Sequence, residues 1–417
     1  MGVHVTSAPE KMAGRERKDR FRIGWQAAAL ALASGLIFPV HAADFTISGH
    51  AETWQDDNLF RKPDPDRQSD RIYAASLGGM LRLNGKGMTG DIGGELNRSW
   101  FGRNDYLNNN GYIVTGSVTR PKGRLTFDLS ASRQRRLSDF SEIFSSGKNM
   151  QTFTQADGQM RLALAGDFRA VIGGSLMRNE NSSALAAGYN TSGAIAGLGY
   201  YPSTGNYITL LFQRSTSRGI GRQPVHIAGN EQIYRQDYAE SRIGVAIHYQ
   251  YSALLLLDGR IGHLSRDDKS IFNKNFSGLV GDVSVTWRPR RTIEFVARTG
   301  RQLQSDGYIY SDSIRQDFVT LLAGSAVTNC LQAELSGSYA REHFVYDVLA
   351  PQPVEPRTDR LWRLKGGLSY ALSSRIALRL DGRREWRHST ENSYRYTATA
   401  AILGLKITLG QDKKMSR

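Results

Sequence analysis

From residue 44 onward, apolar and polar residues alternate with a period of two, in stretches of about ten residues. Leu125, Phe127, Leu129 and Ala131 interleave with Thr126, Asp128, Ser130 and Ser132. Leu331, Ala333, Leu335 and Tyr339 interleave with Gln332, Glu334, Ser336 and Ser338, and Ile376, Leu378 and Leu380 with Arg379, Asp381 and Arg383. A period of two puts one set on each face of a strand, so the chain is all-β. Stretches of about ten residues are long for soluble sheets, whose strands mostly run to about five or six. They match the roughly 9–11 residues a tilted strand needs to cross a bilayer.

Composition agrees. The 417 residues include 43 Gly and 18 Tyr but only 11 Pro, a balance suited to many strands joined by tight turns. A bundle of transmembrane helices is excluded, because polarity runs along the whole chain. The single Cys330 excludes a disulfide framework, a zinc ribbon and CxxC redox chemistry.

Residues 1–42 read as a cleaved signal peptide. Lys11, Arg15, Arg17, Lys18, Arg20 and Arg22 precede an apolar run from Ile23 to Val40, which ends in Val40-His41-Ala42. An N-terminal membrane anchor is the alternative, and Met12 is an equally good start. Residues 43–417 would then form the exported domain, with 48 basic and 36 acidic residues after the leader's six and three are subtracted from 54 and 39.

The polar face carries Arg363, Lys365, Arg375, Arg379, Asp381, Arg383, Glu385 and Arg387, too charged for casual decoration and suited to a wet interior. Short connections at 84–87, 121–123, 165–167 and 202–205 alternate with longer ones at 58–71, 137–150, 219–235 and 345–359. That asymmetry is the habit of transmembrane antiparallel β-barrels. The expected strands begin near 44, 72, 88, 112, 124, 151, 168, 190, 206, 238, 254, 277, 292, 314, 330, 360, 375 and 394. They number eighteen, with sixteen to twenty compatible, and both chain ends fall on the periplasmic side. Trp287, Tyr249, Tyr251, Trp362 and Tyr370 fall near strand ends, where amphipathic rings favour the membrane boundary. The final strand trails into Gln411–Arg417 instead of ending on an aromatic.

No catalytic, metal or cofactor constellation stands out. The His residues lack ligand spacing, and Gly79…Gly85-Lys86 misses the P-loop spacing and reads as a hairpin turn. His263 and Ser265 share one face of a strand near the outer rim, the one pair a lipid-editing barrel enzyme could use. The basic surplus points to outer-membrane lipid and lipopolysaccharide phosphates or an anionic polymer, with no nucleic-acid partner expected.

Arg363, Lys365, Arg375, Arg379, Arg383 and Arg387 form a basic ladder on two neighbouring strands. Guanidinium forks suit carboxylates and phosphates, so the ladder could select anionic solutes. Equally, it could brace the wall by pairing with Asp381, Glu385 and acidic loop residues.

Asp56-Asp57-Asn58-Leu59-Phe60-Arg61 closes the first strand, and Ser69-Asp70-Arg71-Ile72-Tyr73 follows. This segment resembles the entry of EpsL-type exopolysaccharide-biosynthesis barrels, porins of polysaccharide export operons in Gram-negative bacteria. The resemblance covers only the opening of the exported chain. It implies an outer-membrane pore for a nascent exopolysaccharide, working with periplasmic export proteins and carrying no catalytic residues; the basic ladder points to an acidic polymer. A general or solute-specific porin is the alternative, and a barrel lipid hydrolase the third.

Overall fold

The computed structural model describes residues 42–410, apart from 86, 144–145, 184–187, 203–204, 221–222, 228–229, 235–236, 270–274, 305–313 and 345–356. The expected leader lies outside the described residues except for Ala42, which opens the first strand, and so does the tail 411–417.

Eighteen antiparallel strands form one sheet that closes on itself. They are β1 (Ala42–Asp56), β2 (Asp70–Gly85), β3 (Met88–Phe101), β4 (Asn109–Lys122), β5 (Leu125–Leu137), β6 (Met150–Ala163), β7 (Phe168–Asn181), β8 (Gly188–Tyr200) and β9 (Tyr207–Ile220). After a small hairpin come β12 (Tyr238–Gln250), β13 (Leu255–Asp268), β14 (Phe276–Arg290), β15 (Ile293–Gln304) and β16 (Ile314–Ala326). The wall ends with β17 (Leu331–Phe344), β18 (Thr358–Ala371), β19 (Ile376–Ser389) and β20 (Tyr396–Gly410). Each strand pairs with its neighbours in sequence, β9 pairs with β12, and β20 closes on β1 from Thr46↔Gly410 to Asp56↔Ala400. Closure leaves no unpaired edge, which is what hydrocarbon demands.

All eighteen strands start within three residues of their expected positions. The hairpin β10 (Gln223–Ile227) with β11 (Asn230–Tyr234) was not expected; it lies where the sequence reads as one long polar connection. The short turns lie at one end of the barrel, where β1 begins and β20 ends. Two of them, β4–β5 and β6–β7, bend at Gly123 and Gly166, whose φ of 61° and 58° suit a residue without Cβ.

Pairing fixes which residues share a face. On β18, Trp362, Leu364, Leu368 and Tyr370 point outward and are each more than 40% exposed. From Tyr370 to Trp362 is eight residues, about 20 Å of height at ~3.3 Å per residue and a tilt of ~40°. Around the wall, Leu77, Leu96, Leu198, Leu210, Leu279, Leu321 and Leu403 repeat the pattern, each about half exposed or more. The five aromatic residues singled out in the sequence all face outward. An apolar outer belt between aromatic girdles on a closed barrel marks an outer-membrane β-barrel, with short turns periplasmic and longer loops outside.

Candidate functional site

An eighteen-stranded barrel is wide enough for an aqueous channel unless something narrows it. Here two loops enter the lumen at the external end. The first runs from β1 to β2. Asp56 ends β1, and Asp57 extends the β20 pairing, its N–H donating to the Thr399 carbonyl at 3.1 Å while its carboxylate accepts the Thr399 N–H at 2.7 Å. Asn58, fully buried, then turns the chain. Its side-chain amide donates to the carbonyls of Lys62 (2.7 Å) and Thr397 (3.0 Å), and its Oδ1 accepts the Lys62 N–H at 3.0 Å.

This turn drops Leu59 and Phe60 onto the inward-facing Trp54, Ile72 and Phe101, with Leu107 joining from a single 3-10 turn (Asp105–Leu107). Ile72 and Leu107 are fully buried. An apolar core therefore sits inside the mouth of the barrel, on the side of β1 to β5, and a smaller inward cluster of Leu361, Tyr396 and Ala398 lies on β18 and β20.

The second loop joins β5 to β6 and holds the one-turn helix α1 (Phe140–Ile143). Asp139 accepts the Ser141 N–H at 2.8 Å, and Phe140 packs edge-on against Phe60 with ring centroids 4.9 Å apart. Opposing influences act on the Asp139 carboxyl: burial raises its pKa, but the Ser141 hydrogen bond and the Arg61 charge outweigh that and hold it below the ordinary carboxylate value.

Buried charges fasten both loops to the wall. Arg61 adopts a left-handed φ of 55°, a conformation that costs a non-glycine residue about 1–2 kcal/mol. Its guanidinium grips both oxygens of Asp56 at 3.0 Å and comes within 3.5 Å of Glu385 on β19. Burial lowers the Arg61 pKa, yet Asp56 and Glu385 more than offset this, so it stays firmly charged. Arg387, 4% exposed in its side chain, binds Glu342 on β17 at 3.2 Å, lies 3.7 Å from Asp359 on β18 and donates to the Ser141 carbonyl of the inserted loop at 3.4 Å. Breaking one member of such a buried group costs about 3–5 kcal/mol, because the rest lose compensation.

The six residues of the expected ladder separate. Arg363 pairs with Glu385 (2.7 Å), Arg379 with Asp381 (2.7 Å), Arg383 with Asp56 across to β1 (3.3 Å) and Arg387 with Glu342. Lys365 faces the lumen beside Arg383, with no acidic partner among the described residues. Arg375 is displaced from the others: it lies in the periplasmic turn before β19, so no continuous run of six exists. The same bracing recurs around the inner wall, in Arg161–Asp128 at 2.5 Å, Arg266–Glu240 at 2.6 Å, Arg288–Glu294 at 2.5 Å and Arg298–Asp282 at 2.9 Å.

The motif Asp56-Asp57-Asn58-Leu59-Phe60-Arg61 holds the first inserted loop in place. Sequence reasoning missed the loop itself, although an apolar Leu59-Phe60 pair inside a polar connection, with Phe140 in another, was a readable sign. His263 and Ser265 both face outward, and His263 Nε2 lies 3.2 Å from Ser277 Oγ on β14. His248 faces inward and meets Asp258 at 2.5 Å. Among the described residues no three potential ligands gather around a metal position.

Residues 226–409, a little under half the chain, match the family model described as "Putative beta-barrel porin 2". No curated protein matches. Similar solved structures include Pseudomonas aeruginosa OccK2 (OpdF), with 10% identity, TM-score 0.48 and coverage of 89% of this chain and 98% of that one. They also include P. aeruginosa OccK5 (OpdH), at 12% identity, TM-score 0.46 and coverage of 89% and 99%. Acinetobacter baumannii OccAB3 is similar at 9% identity, TM-score 0.46 and coverage of 89% and 100%.

Proposed function

We propose that the protein is a passive outer-membrane porin for small hydrophilic solutes, with a sieve built from its two inserted loops. The observation that carries this reading is the seating of residues 57–69 and 138–143 inside the mouth, on Arg61–Asp56–Glu385 and Arg387–Glu342. A wide barrel narrowed at one level and polar elsewhere passes small solutes and sieves large ones. The porin description of the matching family model favours the same reading. With the inner arginines mostly neutralised in place, the sieve acts by size and local charge more than by a basic wall.

The polysaccharide-conduit reading, with a nascent exopolysaccharide and periplasmic export proteins as partners, rests on the Asp56–Arg61 segment alone. In the fold that segment anchors a constriction, which suits a sieve better than an open conduit for a polymer.

Proteoliposome swelling tests the proposal. Liposomes holding the folded barrel should admit mono- and disaccharide-sized solutes and exclude polymers of several kilodaltons. Absence of uptake for every small solute would sink the porin reading. Single-channel current blocked by an acidic exopolysaccharide, and not by neutral dextran of equal size, would restore the conduit.

A further inference from the structure

Many inner arginines are paired with acids, and among the described residues a second set of basic side chains stands on the outer face. One cross-strand row runs Arg301↔Asp317↔Arg341↔Arg360↔His388 over β15 to β19, every side chain on the lipid-facing parity. Asp317 is taken up by a two-point ion pair with Arg301, at 2.5 and 3.1 Å. Arg341 and Arg360, both exposed, have no acidic partner among the described residues. Arg315 and His343 pair in the next row outward.

The row directly below is aromatic. Tyr339, Trp362 and Trp386 stack side by side, with centroids 4.5 and 6.2 Å apart, and below them Leu364 on β18 opens the apolar belt beside Arg384 on β19. Cationic groups thus stand one residue pair above the aromatic girdle, at the height where lipid phosphates lie. Beside this row an apolar groove of about 430 Å³ opens on the same outer face. Ile261, Leu279, Val283, Val319 and Tyr339 line it, and Gly281 at its floor leaves room where a side chain would meet the Arg260 carbonyl. Arg301 and Asp317 border it on the external side.

We infer that this face, from β13 to β19, is a binding site for a phosphorylated, multiply acylated lipid of the outer leaflet. An acyl chain lies in the groove and phosphate groups rest on Arg341 and Arg360. The chemistry favours this occupant over a generic bilayer lipid. Two guanidinium groups on adjacent strands, without an acidic partner among the described residues, match a headgroup with more than one phosphate, and a groove with cations on one side needs a chain and a headgroup in one molecule. The site is separate from the lumen, and its test does not depend on conduction.

The experiment is native mass spectrometry of the folded barrel in detergent, titrated with bis-phosphorylated lipid A, with the same lipid dephosphorylated, and with phosphatidylglycerol. Bis-phosphorylated lipid A should be retained, and Arg341→Gln with Arg360→Gln should weaken retention about tenfold or more. Both side chains are exposed, and heat-modifiable gel mobility verifies that the variant barrel is closed. Equal retention by that variant overturns the site, as does equal retention of dephosphorylated lipid A or of phosphatidylglycerol by the unaltered protein. The last two comparisons stand even if the variant does not fold.

Discussion

Arg61, on the loop leaving β1, and Glu385, on β19, stand 3.5 Å apart with side chains only 6% and 5% exposed. Asp56 takes the other side of the same guanidinium at 3.0 Å, and Arg363 takes the other side of Glu385 at 2.7 Å. One alternating chain of acid and base therefore joins the inserted loop to β19 and β18, just beyond the closing pair of β20 with β1. Under the proposed sieve, the integrity of this chain keeps the inserted loop seated in the mouth.

Arg61→Ala is expected to release the loop, because it leaves Asp56 and Glu385 buried without their shared cation, a loss of about 3–5 kcal/mol. The loop carries its own reporter, since trypsin can cut after Arg61 and Arg67, while Pro63 protects the bond after Lys62. Arg67 is held by Asp57 at 2.7 Å. The variant should be nicked at Arg67 much faster than the unaltered barrel, and its single-channel conductance should rise. Unchanged cleavage and conductance would mean that the apolar cluster alone seats the loop.

The second inserted loop should respond to acid. Asp139 is held below its ordinary value in the folded protein, so it binds fewer protons folded than unfolded near that value. Its contribution is fully present above the ordinary carboxylate range of about 4 and is lost as pH falls through the lower folded value. Bilayer recordings should be steady at pH 7 and become noisy, with larger openings, well below pH 4. Asp139→Asn should reduce that acid-dependent change, since an amide does not titrate. A change of equal size in the variant would assign it to other carboxylates.

Selectivity should depend on Lys365 more than on Arg375. Lys365 faces the lumen without an acidic partner among the described residues, whereas Arg375 lies in the periplasmic turn. In a salt gradient, Lys365→Glu should shift the reversal potential towards cation preference, and Arg375→Glu should shift it much less. Arg379→Gln should act between them, because it also leaves Asp381 without its 2.7 Å partner. Equal shifts from Lys365 and Arg375 would mean that the turn end, not the wall beside Arg383, sets selectivity.

The wall was legible in the sequence because lipid imposes a period of two for the whole crossing, and turns interrupt it with Gly123, Gly166 and their like. The fate of the charges was less legible. Alternation says that Arg363 and Arg383 face inward, but it cannot say that Arg383 meets Asp56 across the barrel's closure. That contact follows from β20 pairing with β1, a relation between the ends of the chain. Arg375 was misplaced by a single position, since the strand begins at Ile376. Arg341 and Arg360, by contrast, were readable. They occupy the same parity as Tyr339 and Trp362, so they belong outside, and counting charged residues without regard to parity hides them. The loop insertion is tertiary, decided by whether Leu59 and Phe60 find apolar partners, and those partners are distant in sequence.

The intraluminal cluster gives a test that separates inside from outside. Ile72 faces the lumen and is fully buried beneath Leu59, Phe60 and Leu107, whereas Leu321 faces lipid and is 57% exposed. In a soluble protein the buried residue would be core and the exposed one surface. Here both sit in apolar surroundings, but only Ile72 is packed by protein on all sides. Ile72→Ala should therefore cost about 2–5 kcal/mol through lost contacts and a cavity, and the loss should fall on the inserted loop. Trypsin should reach Arg61 and Arg67 faster, while the barrel still shows its heat-modifiable shift on a gel. Leu321→Ala leaves lipid to fill the gap and should change neither reading. If Ile72→Ala instead abolished the heat-modifiable barrel and left no folded species, the cluster would be part of the barrel's own foundation and not a removable lining of its mouth.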